Sequence, residues 1–298
     1  MKTVGVVIAF FNHYTLLPAA LRRISFQNVQ PDWINIVDDC STQSQAISEI
    51  ENLRATLFGK GVPVNWYCQP NNLGPAAARN RGTSASNVDY FIFVDADNLP
   101  RPNMIEVFLR TIEETQADLV VSPMRGFSKT NSDGEPDDTL FVYTPDSKFD
   151  PIKSIQDNNL GDTNFCVRRS VFEALGGFRE DRDLMGVEDW DFLIRFELAG
   201  YKRVVAPEVL IDYRVVPGSL SRRTNPMVRH RKLLDSYLAG SPAHVSQLVK
   251  EDWLRMHYEM KKPSFRLARR VQNALEGQPG AWLWFLRATL RRLNPWRG

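Results

Sequence analysis

The sequence has only three cysteines, and they lie far apart at Cys40, Cys68 and Cys166. No two of them form a C-x-x-C pair, so neither a disulfide framework nor a thiolate zinc site is indicated, and a reducing cytoplasm is the expected location. The chain also lacks an apolar run long enough to cross a bilayer. Its first apolar run, Val4–Phe10, is too short for a signal peptide and is typical of a buried strand.

An excess of charge of one sign is missing as well. The 298 residues include 37 Lys and Arg against 35 Asp and Glu, and a net charge of +2 gives no reason to expect whole-surface binding to nucleic acid. With 43% apolar and 24% charged residues, the composition is that of an ordinary globular protein. Basic charge is concentrated only from Lys262 onward, where Glu276 is the single acid.

What the sequence does contain is an alternation of strand-like and helix-like segments. Apolar runs typical of buried strands occupy residues 4–10, 34–37 and 90–94, and residues 16–24 repeat apolar side chains at helical spacing. This rhythm predicts an α/β fold with helices on the faces of a mainly parallel sheet. From Asn225 onward the pattern becomes helical, so we place a boundary between a first domain, 1–224, and a helical extension, 225–298.

Carboxylates follow two of the predicted strands, at the end where open α/β sheets bind ligands. Asp38 and Asp39 come after residues 34–37, where they can hold a base or ribose, or else form an Asx turn or a helix cap. Asp95 and Asp97 come after residues 90–94, where two such carboxylates can bind a hard divalent cation on a diphosphate. The 4 scattered histidines favour Mg²⁺ or Mn²⁺ over zinc, although a D-x-D pair also arises by chance or caps a helix.

Two further segments carry candidate functional residues. Gly74 and Pro75 are typical of a turn that opens a helix, and Arg79 lies one turn inside it. Such a helix start attracts phosphate, although a plain solvated helix start is the alternative. Residues 186–191 place three acids around Trp190. One of these acids can act as general base on a sugar hydroxyl, and the tryptophan can stack on a sugar or fix the rotamer of the acid. Alternatively, the helix macrodipole favours acids in the first turn of a helix, which accounts for at least one of the three without a catalytic role.

Taken in order, these motifs resemble glycosyltransferase family 2, the inverting enzymes of GT-A fold. The resemblance covers residues 4–223. It rests on V-D-D-x-S at 37–41, N-x-G-x-x-x-A-R-N at 72–80, V-D-A-D at 94–97, G-G-F at 176–178, G-x-E-D-x-D at 186–191, and Y-R-V followed by P-G-S within 213–219. The resemblance implies a nucleotide-binding half at 1–100 and an acceptor and catalytic half at 101–224.

The resemblance also implies a role for individual residues. Asp189 is the expected catalytic base, with Glu188 as the alternative, and Mn²⁺ or Mg²⁺ is the expected cofactor, bound by Asp97 and Asp95. In this mechanism the base takes a proton from the acceptor hydroxyl, which attacks the anomeric carbon opposite the leaving nucleotide and so inverts its configuration. The residues expected to contact the nucleotide-sugar donor are Phe10, Asp39, Arg79, Asp95, Arg222 and Arg223. Those expected on the acceptor side are Asn164, Trp190 and Asp191.

The chain departs from the family pattern at three places. Val215 and Val216 stand where many relatives carry a metal-binding histidine, which leaves the ion with fewer protein ligands. Cys40 replaces the glycine of the usual D-D-G-S turn and restricts the backbone there. Arg179 stands where relatives often have an acid after G-G-F, so acceptor specificity is expected to differ.

The partners expected from this resemblance are a nucleotide-sugar donor, with UDP as the usual nucleotide, and a glycan or lipid-linked acceptor of a bacterial surface polysaccharide. Residues 281–296 interleave aromatic and basic side chains, which suits a membrane surface, although they can equally pack on the catalytic domain or on a second copy of the chain. The alternatives are an inactive glycan- or nucleotide-sugar-binding module, which would have lost a motif carboxylate, and a sugar nucleotidyltransferase, which needs a glycine-rich phosphate loop after the first strand.

Overall fold

The computed structural model describes residues 2–42, 45–58, 61–84, 87–215, 232–234, 238, 246–247, 249–251 and 254. The strands in this part of the chain are β1 Val4–Phe10, β2 Trp33–Asp38, β3 Val64–Cys68, β4 Tyr90–Asp95, β5 Leu99–Pro100, β6 Leu119–Val121, β7 Met124–Phe127, β8 Phe141–Tyr143, β9 Cys166–Arg168, β10 Arg203–Val205 and β11 Ile211–Arg214. The helices are α1 Leu17–Ser25, α2 Gln45–Phe58, α3 Pro75–Ser84, α4 Met104–Thr115, α5 Pro151–Gln156, α6 Arg169–Ala174 and α7 Glu188–Leu198, with a 3-10 turn at Arg182–Leu184.

The larger sheet has seven strands in the order β10-β6-β9-β4-β1-β2-β3. Strands β4, β1, β2 and β3 run parallel, and β9 enters antiparallel between β4 and β6. Six of the seven residues of β1 are buried, because helices cover both faces of a parallel sheet and its central strands are apolar throughout. The predicted α/β fold with a mainly parallel sheet is confirmed.

Side chains of β1 and β4 alternate between two cores on the two faces of this sheet. Ile8 and Ile92 belong to the core that packs under α1 and α4. Phe91 and Phe93 belong to the other core, which is rich in phenylalanine and includes Phe192 of α7. The aromatic contacts of this second core press α7 against the sheet and so fix the position of its first turn.

Helix α1 confirms the predicted amphipathic stripe. Leu17, Ala20, Leu21 and Ile24 are all buried, and the chain enters the helix through a proline in its first turn. The stripe packs on the sheet and carries no functional group. No helix among the described residues is long and apolar enough to cross a membrane.

A second sheet of four strands, in the order β5-β11-β7-β8, lies outside the sequence prediction. Its strands are only two to four residues long, which is too short for a recognisable alternation of apolar and polar residues. Strand β11 pairs with β5, which follows the acids at the end of β4, so this sheet brings Tyr213 and Arg214 next to those acids.

Candidate active site

The predicted functional residues meet at the carboxyl edge of the larger sheet. Strand β1 lies between β2 and β4, and its register places Phe10 beside Asp38 and Ala9 beside Asp95. Asp39, directly after β2, therefore shares one edge with the acids of β4, as expected when parallel strands end together.

Asp39 is buried and holds the loop that leads into α3. Its carboxylate accepts hydrogen bonds from the backbone N–H groups of Leu73 (2.8 Å) and Gly74 (2.8 Å) and from Nε2 of Gln69 (2.8 Å). Burial raises the pKa of this carboxyl group, although the three hydrogen bonds act in the opposite direction by stabilising its charged form. Two N–H groups just before α3, where the sequence suggested a phosphate, thus already bind a carboxylate. The role of Asp39 toward a nucleotide base stays a prediction.

Cys40 adopts a left-handed backbone conformation, with a φ angle of 63°. This is the conformation for which glycine is usually selected, because a side chain at positive φ is strained. The turn has therefore kept the shape expected of a D-D-G-S sequence even though its glycine is replaced. The strained residue is directly adjacent to Asp39.

Arg79 links the strand acids to the first turn of α7. Its guanidinium donates to Oε1 of Glu188 (2.6 Å) and to Oδ1 of Asp95 (2.8 Å), and it lies over the ring of Phe178. Burial by itself would lower the pKa of Arg79, but the two carboxylates together raise it, so the side chain stays charged. Arg79 and Glu188 are only 5% and 4% exposed, so this ion pair is shielded from solvent. Contact of Arg79 with a diphosphate stays a prediction.

Asp95 and Asp97 lie close together in different surroundings. Oδ1 of Asp95 accepts from Arg79, and its Oδ2 accepts a longer hydrogen bond from the side-chain amide of Asn98 (3.4 Å). Burial and the charge of Asp95 raise the pKa of Asp97 to about 7, so a cation placed beside Asp97 would favour its charged form. Nδ1 of His13 lies 4.0 Å from Oδ2 of Asp97, and burial lowers the pKa of this imidazole. Nothing in the sequence pattern indicates that this histidine approaches the acids.

Within the described residues, no group of three or more His, Cys, Asp or Glu side chains could by itself hold a metal ion. These residues fit a metal site in which the substrate supplies some of the ligands better than a site formed by protein side chains alone. Mg²⁺ often binds through one or two carboxylates, and phosphate oxygens and water complete its coordination shell. Asp97 suits that role best, because both carboxylate oxygens of Asp95 already accept hydrogen bonds.

Asp189 is the second residue of α7 and is surrounded by other acids. Its Oδ1 accepts from the backbone N–H of Trp190 (2.7 Å) and its Oδ2 from the hydroxyl of Thr163 (3.2 Å). Burial and the adjacent charge of Glu188 raise the pKa of Asp189 to about 7. A carboxylate with a pKa near the working pH is suited to accept a proton from a substrate hydroxyl.

Glu188 differs from Asp189 because its carboxylate forms an ion pair with the buried guanidinium of Arg79. Oε1 accepts from Arg79, and Oε2 accepts from the backbone N–H of Gly186 (2.6 Å). A substrate hydroxyl that approached Glu188 would have to displace Arg79 from this buried ion pair. The geometry therefore favours Asp189 over Glu188 as the base.

Trp190 and Asp191, both predicted on the acceptor side, have buried side chains with partners inside the protein. The indole N–H of Trp190 donates to the carbonyl oxygen of Ser154 (2.7 Å), and the side chain is 7% exposed. Asp191 is fully buried and pairs with Arg179 (3.2 Å) and Arg195 (2.9 Å). Both ion pairs hold Asp191 inside the protein, and the acceptor contact suggested for it by the sequence stays a prediction. The arginine that departs from the family pattern after G-G-F is a partner of this acid.

Phe10, predicted to contact the donor, also has a buried side chain. Its ring is 1% exposed and packs against Tyr14 (4.9 Å between ring centroids) and Trp66 (5.5 Å) in the core. The side chain therefore stabilises the fold, and the contact with the donor that we expected from Phe10 stays a prediction. Its backbone carbonyl accepts from the N–H of Asp39 (2.8 Å), which fixes the turn after β2.

A turn at residues 161–164 contacts both acidic motifs. Oδ1 of Asn164 accepts from the backbone N–H of Asp95 (3.2 Å), and its amide donates to Asp162 (2.6 Å). The neighbouring Thr163 donates to Asp189 (3.2 Å). Burial raises the pKa of Asp162 to about 6. Of the residues in this turn, the sequence analysis identified only Asn164. The run of turn-forming residues before β9 indicates that a turn is present. It does not indicate which acids the turn contacts.

Strand β11 adds the Y-R motif to the site. The backbone N–H of Arg214 donates to Oδ1 of Asn98 (3.0 Å), and its Nε donates to the carbonyl oxygen of Asp97 (3.1 Å). Burial raises the pKa of the Tyr213 hydroxyl, and the charges of the nearby Asp95 and Asp97 raise it further. The motif thus braces the D-x-D turn from the second sheet.

Several predicted features lie outside the described residues. They are the donor residues Arg222 and Arg223, Val216, the domain boundary at 224 and 225, and the aromatic and basic segment at 281–296. The predictions made for them stand as they were.

Comparison with known proteins agrees with this geometry. Residues 5–176 match the model of the family described as Glycosyl transferase family 2. The chain is 25% identical over 270 residues to the glycosyltransferase GlyG of Streptococcus pneumoniae, which covers 83% of this chain and 85% of the relative. It is 23% identical over 229 residues to the amylovoran biosynthesis glycosyltransferase AmsB of Erwinia amylovora, covering 76% and 74%.

Among solved structures, S. aureus TarS 1-349 in complex with UDP-GlcNAc superposes with a TM-score of 0.65 at 19% identity. The superposition covers 86% of this chain and 73% of that chain, so the two share the GT-A fold. Since the family model spans more than half of the 298 residues and the acidic motifs meet at one sheet edge, the chain belongs to glycosyltransferase family 2 and is a glycosyltransferase.

Proposed function

We propose that this protein transfers a sugar from a UDP-sugar to a hydroxyl of a glycan or lipid-linked acceptor, with inversion at the anomeric carbon, in the synthesis of a bacterial surface polysaccharide. The observation that carries the proposal is the setting of Asp189. Its carboxylate is joined to the end of β4 through the turn at Thr163 and Asn164, whose side chains contact Asp189 and the backbone of Asp95, and its pKa is raised to about 7.

The choice of donor and pathway is supported by the relatives. TarS has been solved in complex with UDP and with UDP-GlcNAc. AmsB is named for amylovoran biosynthesis. A nucleotide-sugar donor and a polysaccharide product are therefore the first substrates to test, and both are inferences for the present chain.

Asp189 is the proposed general base. In its unprotonated form it takes the proton of the acceptor hydroxyl as that oxygen attacks the anomeric carbon, and the nucleotide diphosphate leaves from the opposite face. Thr163 and the backbone of Trp190 hold the two carboxylate oxygens, so the base is oriented before substrate binds. Glu188 and Arg79 form the ion pair beside it.

A divalent cation, Mn²⁺ or Mg²⁺, is the proposed cofactor, with Asp97 as its main protein ligand and Asp95 beside it. When bound, the ion would offset negative charge on the departing diphosphate. The proposal is supported by the setting of Asp97, whose pKa is raised by burial and by the charge of Asp95, because a nearby cation would offset both effects. Arg222 and Arg223, beyond the described residues, are proposed to add positive charge on the donor side.

The test is release of free nucleotide from a panel of UDP-, GDP- and dTDP-sugars, with Mn²⁺ or Mg²⁺ and then with a chelator. We expect turnover of one UDP-sugar that the chelator abolishes. Turnover that resists the chelator would contradict the proposed metal cofactor but would still support the proposed transferase activity. An absence of both turnover and donor binding would favour the binding-module alternative, in which the acidic motifs only hold a ligand.

The role of Asp189 is tested by Asp189→Asn. This change keeps the shape of the side chain but removes its basicity, so turnover should fall by about two to four orders of magnitude, the contribution typical of a general base. Donor affinity, measured by calorimetry with the same UDP-sugar, should stay nearly unchanged. A collapse of donor affinity would show that Asp189 binds the donor and is not the base.

Contact of residues 281–296 with a membrane surface is a separate proposal, since the acceptor is proposed to be lipid-linked. Co-sedimentation with vesicles containing anionic lipid should be lost in a chain that ends at Gln278. If the full chain does not bind such vesicles, the proposed membrane contact is wrong.

A further inference from the structure

The hydroxyl of Thr163 has no role in the sequence motifs, yet it lies against the proposed base. The side chain is 4% exposed, so its hydroxyl must find its hydrogen-bond partner inside the protein. That partner is Oδ2 of Asp189, at 3.2 Å. The other oxygen of the same carboxylate accepts from the backbone N–H of Trp190. Together these two donors restrict rotation of the carboxylate.

The position of Thr163 in its turn strengthens this observation. The next residue, Asn164, accepts a hydrogen bond from the backbone N–H of Asp95 (3.2 Å) at the end of β4. The backbone N–H of Phe165 donates to the carbonyl oxygen of Thr163 (2.9 Å), which tightens the turn. Adjacent residues therefore touch the donor-side acid and the proposed base, so the turn sets the distance between the two.

We propose that Thr163 is a positioning residue for the catalytic base, and that its hydroxyl fixes the orientation of the Asp189 carboxylate and stabilises its charged form. The proposal rests on the proposed function, because it assigns a purpose to the hydroxyl only if Asp189 accepts the proton. A valine at this position would fill the same space without a hydrogen-bond donor, so packing alone does not require threonine.

Other charges also act on Asp189 and decide the direction of the expected change. The acids Glu188 and Asp162 disfavour its charged form, and Arg79 favours it. The charge of Asp189 also contributes to the raised pKa of the Tyr143 and Tyr213 hydroxyl groups. A hydroxyl that donates to the carboxylate acts in the same direction as Arg79. Removing it should therefore make Asp189 harder to ionise, and activity that depends on the ionised base should begin at higher pH.

The experiment compares Thr163→Val, which removes the donor at nearly constant volume, with Thr163→Ser, which retains it. Thr111→Val is the matched control, because Thr111 is also buried, at 5% exposure, and lies on α4 away from the acids. For nucleotide release from the active UDP-sugar, with water as acceptor if no other is known, kcat of Thr163→Val should fall about 10- to 100-fold, the factor typical of a hydrogen bond to a charged group. Donor KM should stay nearly constant, and Thr163→Ser should recover most of the loss.

The readout that separates positioning from simple stability is the pH dependence. The acidic limb of the kcat profile should move to higher pH in Thr163→Val, and it should stay in place in Thr163→Ser and in the Thr111→Val control. The same shift should appear in the carboxyl ¹³C signal of Asp189, followed by NMR in protein labelled at aspartate and assigned by its absence from Asp189→Asn. This second measurement needs neither donor nor acceptor.

An unchanged titration of Asp189 and an unchanged kcat in Thr163→Val would overturn the proposal. So would a Thr163→Ser variant as impaired as Thr163→Val, since the hydroxyl would then not be the important group. Failure of the proposed function looks different: full activity of Asp189→Asn would show that the base is another group, even if the NMR titration of Asp189 still responded to Thr163.

Discussion

Replacing Arg79 by methionine tests the central charge arrangement of the site. Arg79 is 5% exposed and donates to Glu188 at 2.6 Å and to Asp95 at 2.8 Å. Methionine fills similar space but carries no charge. The carboxylate of Glu188, which is 4% exposed, then stays buried without its cation. Removing one partner of a buried ion pair costs about 3–5 kcal/mol, mainly because the remaining charge is uncompensated. For a domain of this size the melting temperature should fall by roughly 6–20 °C.

The assay is urea unfolding followed by tryptophan fluorescence, with thermal unfolding as a second measure. Arg169→Met is the matched control, because Arg169 forms an exposed i,i+4 pair with Glu173 at 3.9 Å, and such surface pairs contribute about 0–1 kcal/mol. Adding Glu188→Gln to Arg79→Met should restore part of the lost stability, since the neutral amide removes the uncompensated charge. Arg79→Lys should be intermediate, because one ammonium group cannot reproduce two guanidinium contacts.

Two results would refute this reasoning. One is a loss of stability in Arg79→Met no larger than in the control, which would mean that the two carboxylates do not depend on Arg79. The other is a double variant less stable than Arg79→Met alone, because then the cost would come from lost packing over Phe178 and not from an uncompensated charge.

Three further predictions follow from the same geometry. Because the pKa of Asp189 is raised to about 7 and the base must be ionised, kcat should rise with pH through neutrality, whereas a profile flat from pH 5 to 9 would exclude this group as the base. Asp39→Asn should lower the free energy of unfolding by about 1–3 kcal/mol in urea unfolding, since an amide cannot accept from all three donors of Gln69, Leu73 and Gly74, and an unchanged stability would contradict those contacts. Cys40→Gly should stabilise the protein by about 1 kcal/mol by relieving the positive φ angle, and a destabilised variant would show that the thiol's packing outweighs the strain.

Local sequence was sufficient to predict the framework of the site. The acids after β2 and β4 could be located because an apolar run followed directly by Asp39 or by Asp95 can be read without knowledge of the rest of the chain. Parallel strands end at one edge, so their meeting followed from the fold class. The stripe of α1 was equally readable from helical periodicity.

The three acids of α7 illustrate what local sequence leaves open. Glu188, Asp189 and Asp191 lie within one turn, and successive residues of a helix point about 100° apart, so each meets a different neighbour. Glu188 meets Arg79, Asp189 meets Thr163, and Asp191 is buried against Arg195. No spacing rule says which neighbour each acid meets, because that is set by how the phenylalanine side of the helix packs on the sheet.

The sequence by itself determined the α/β fold, the order of the motifs and the family, since each depends on residues adjacent along the chain. Only the tertiary structure decided that Arg79 joins two acids 16 and 109 residues away, that His13 approaches Asp97, and that the short strand β11 carries Arg214 to the same turn. These contacts join distant segments through hydrogen bonds and charge, which leave no periodic trace in the sequence. They also set the pKa values on which the chemistry depends, because burial and neighbouring charges exist only once the chain has folded.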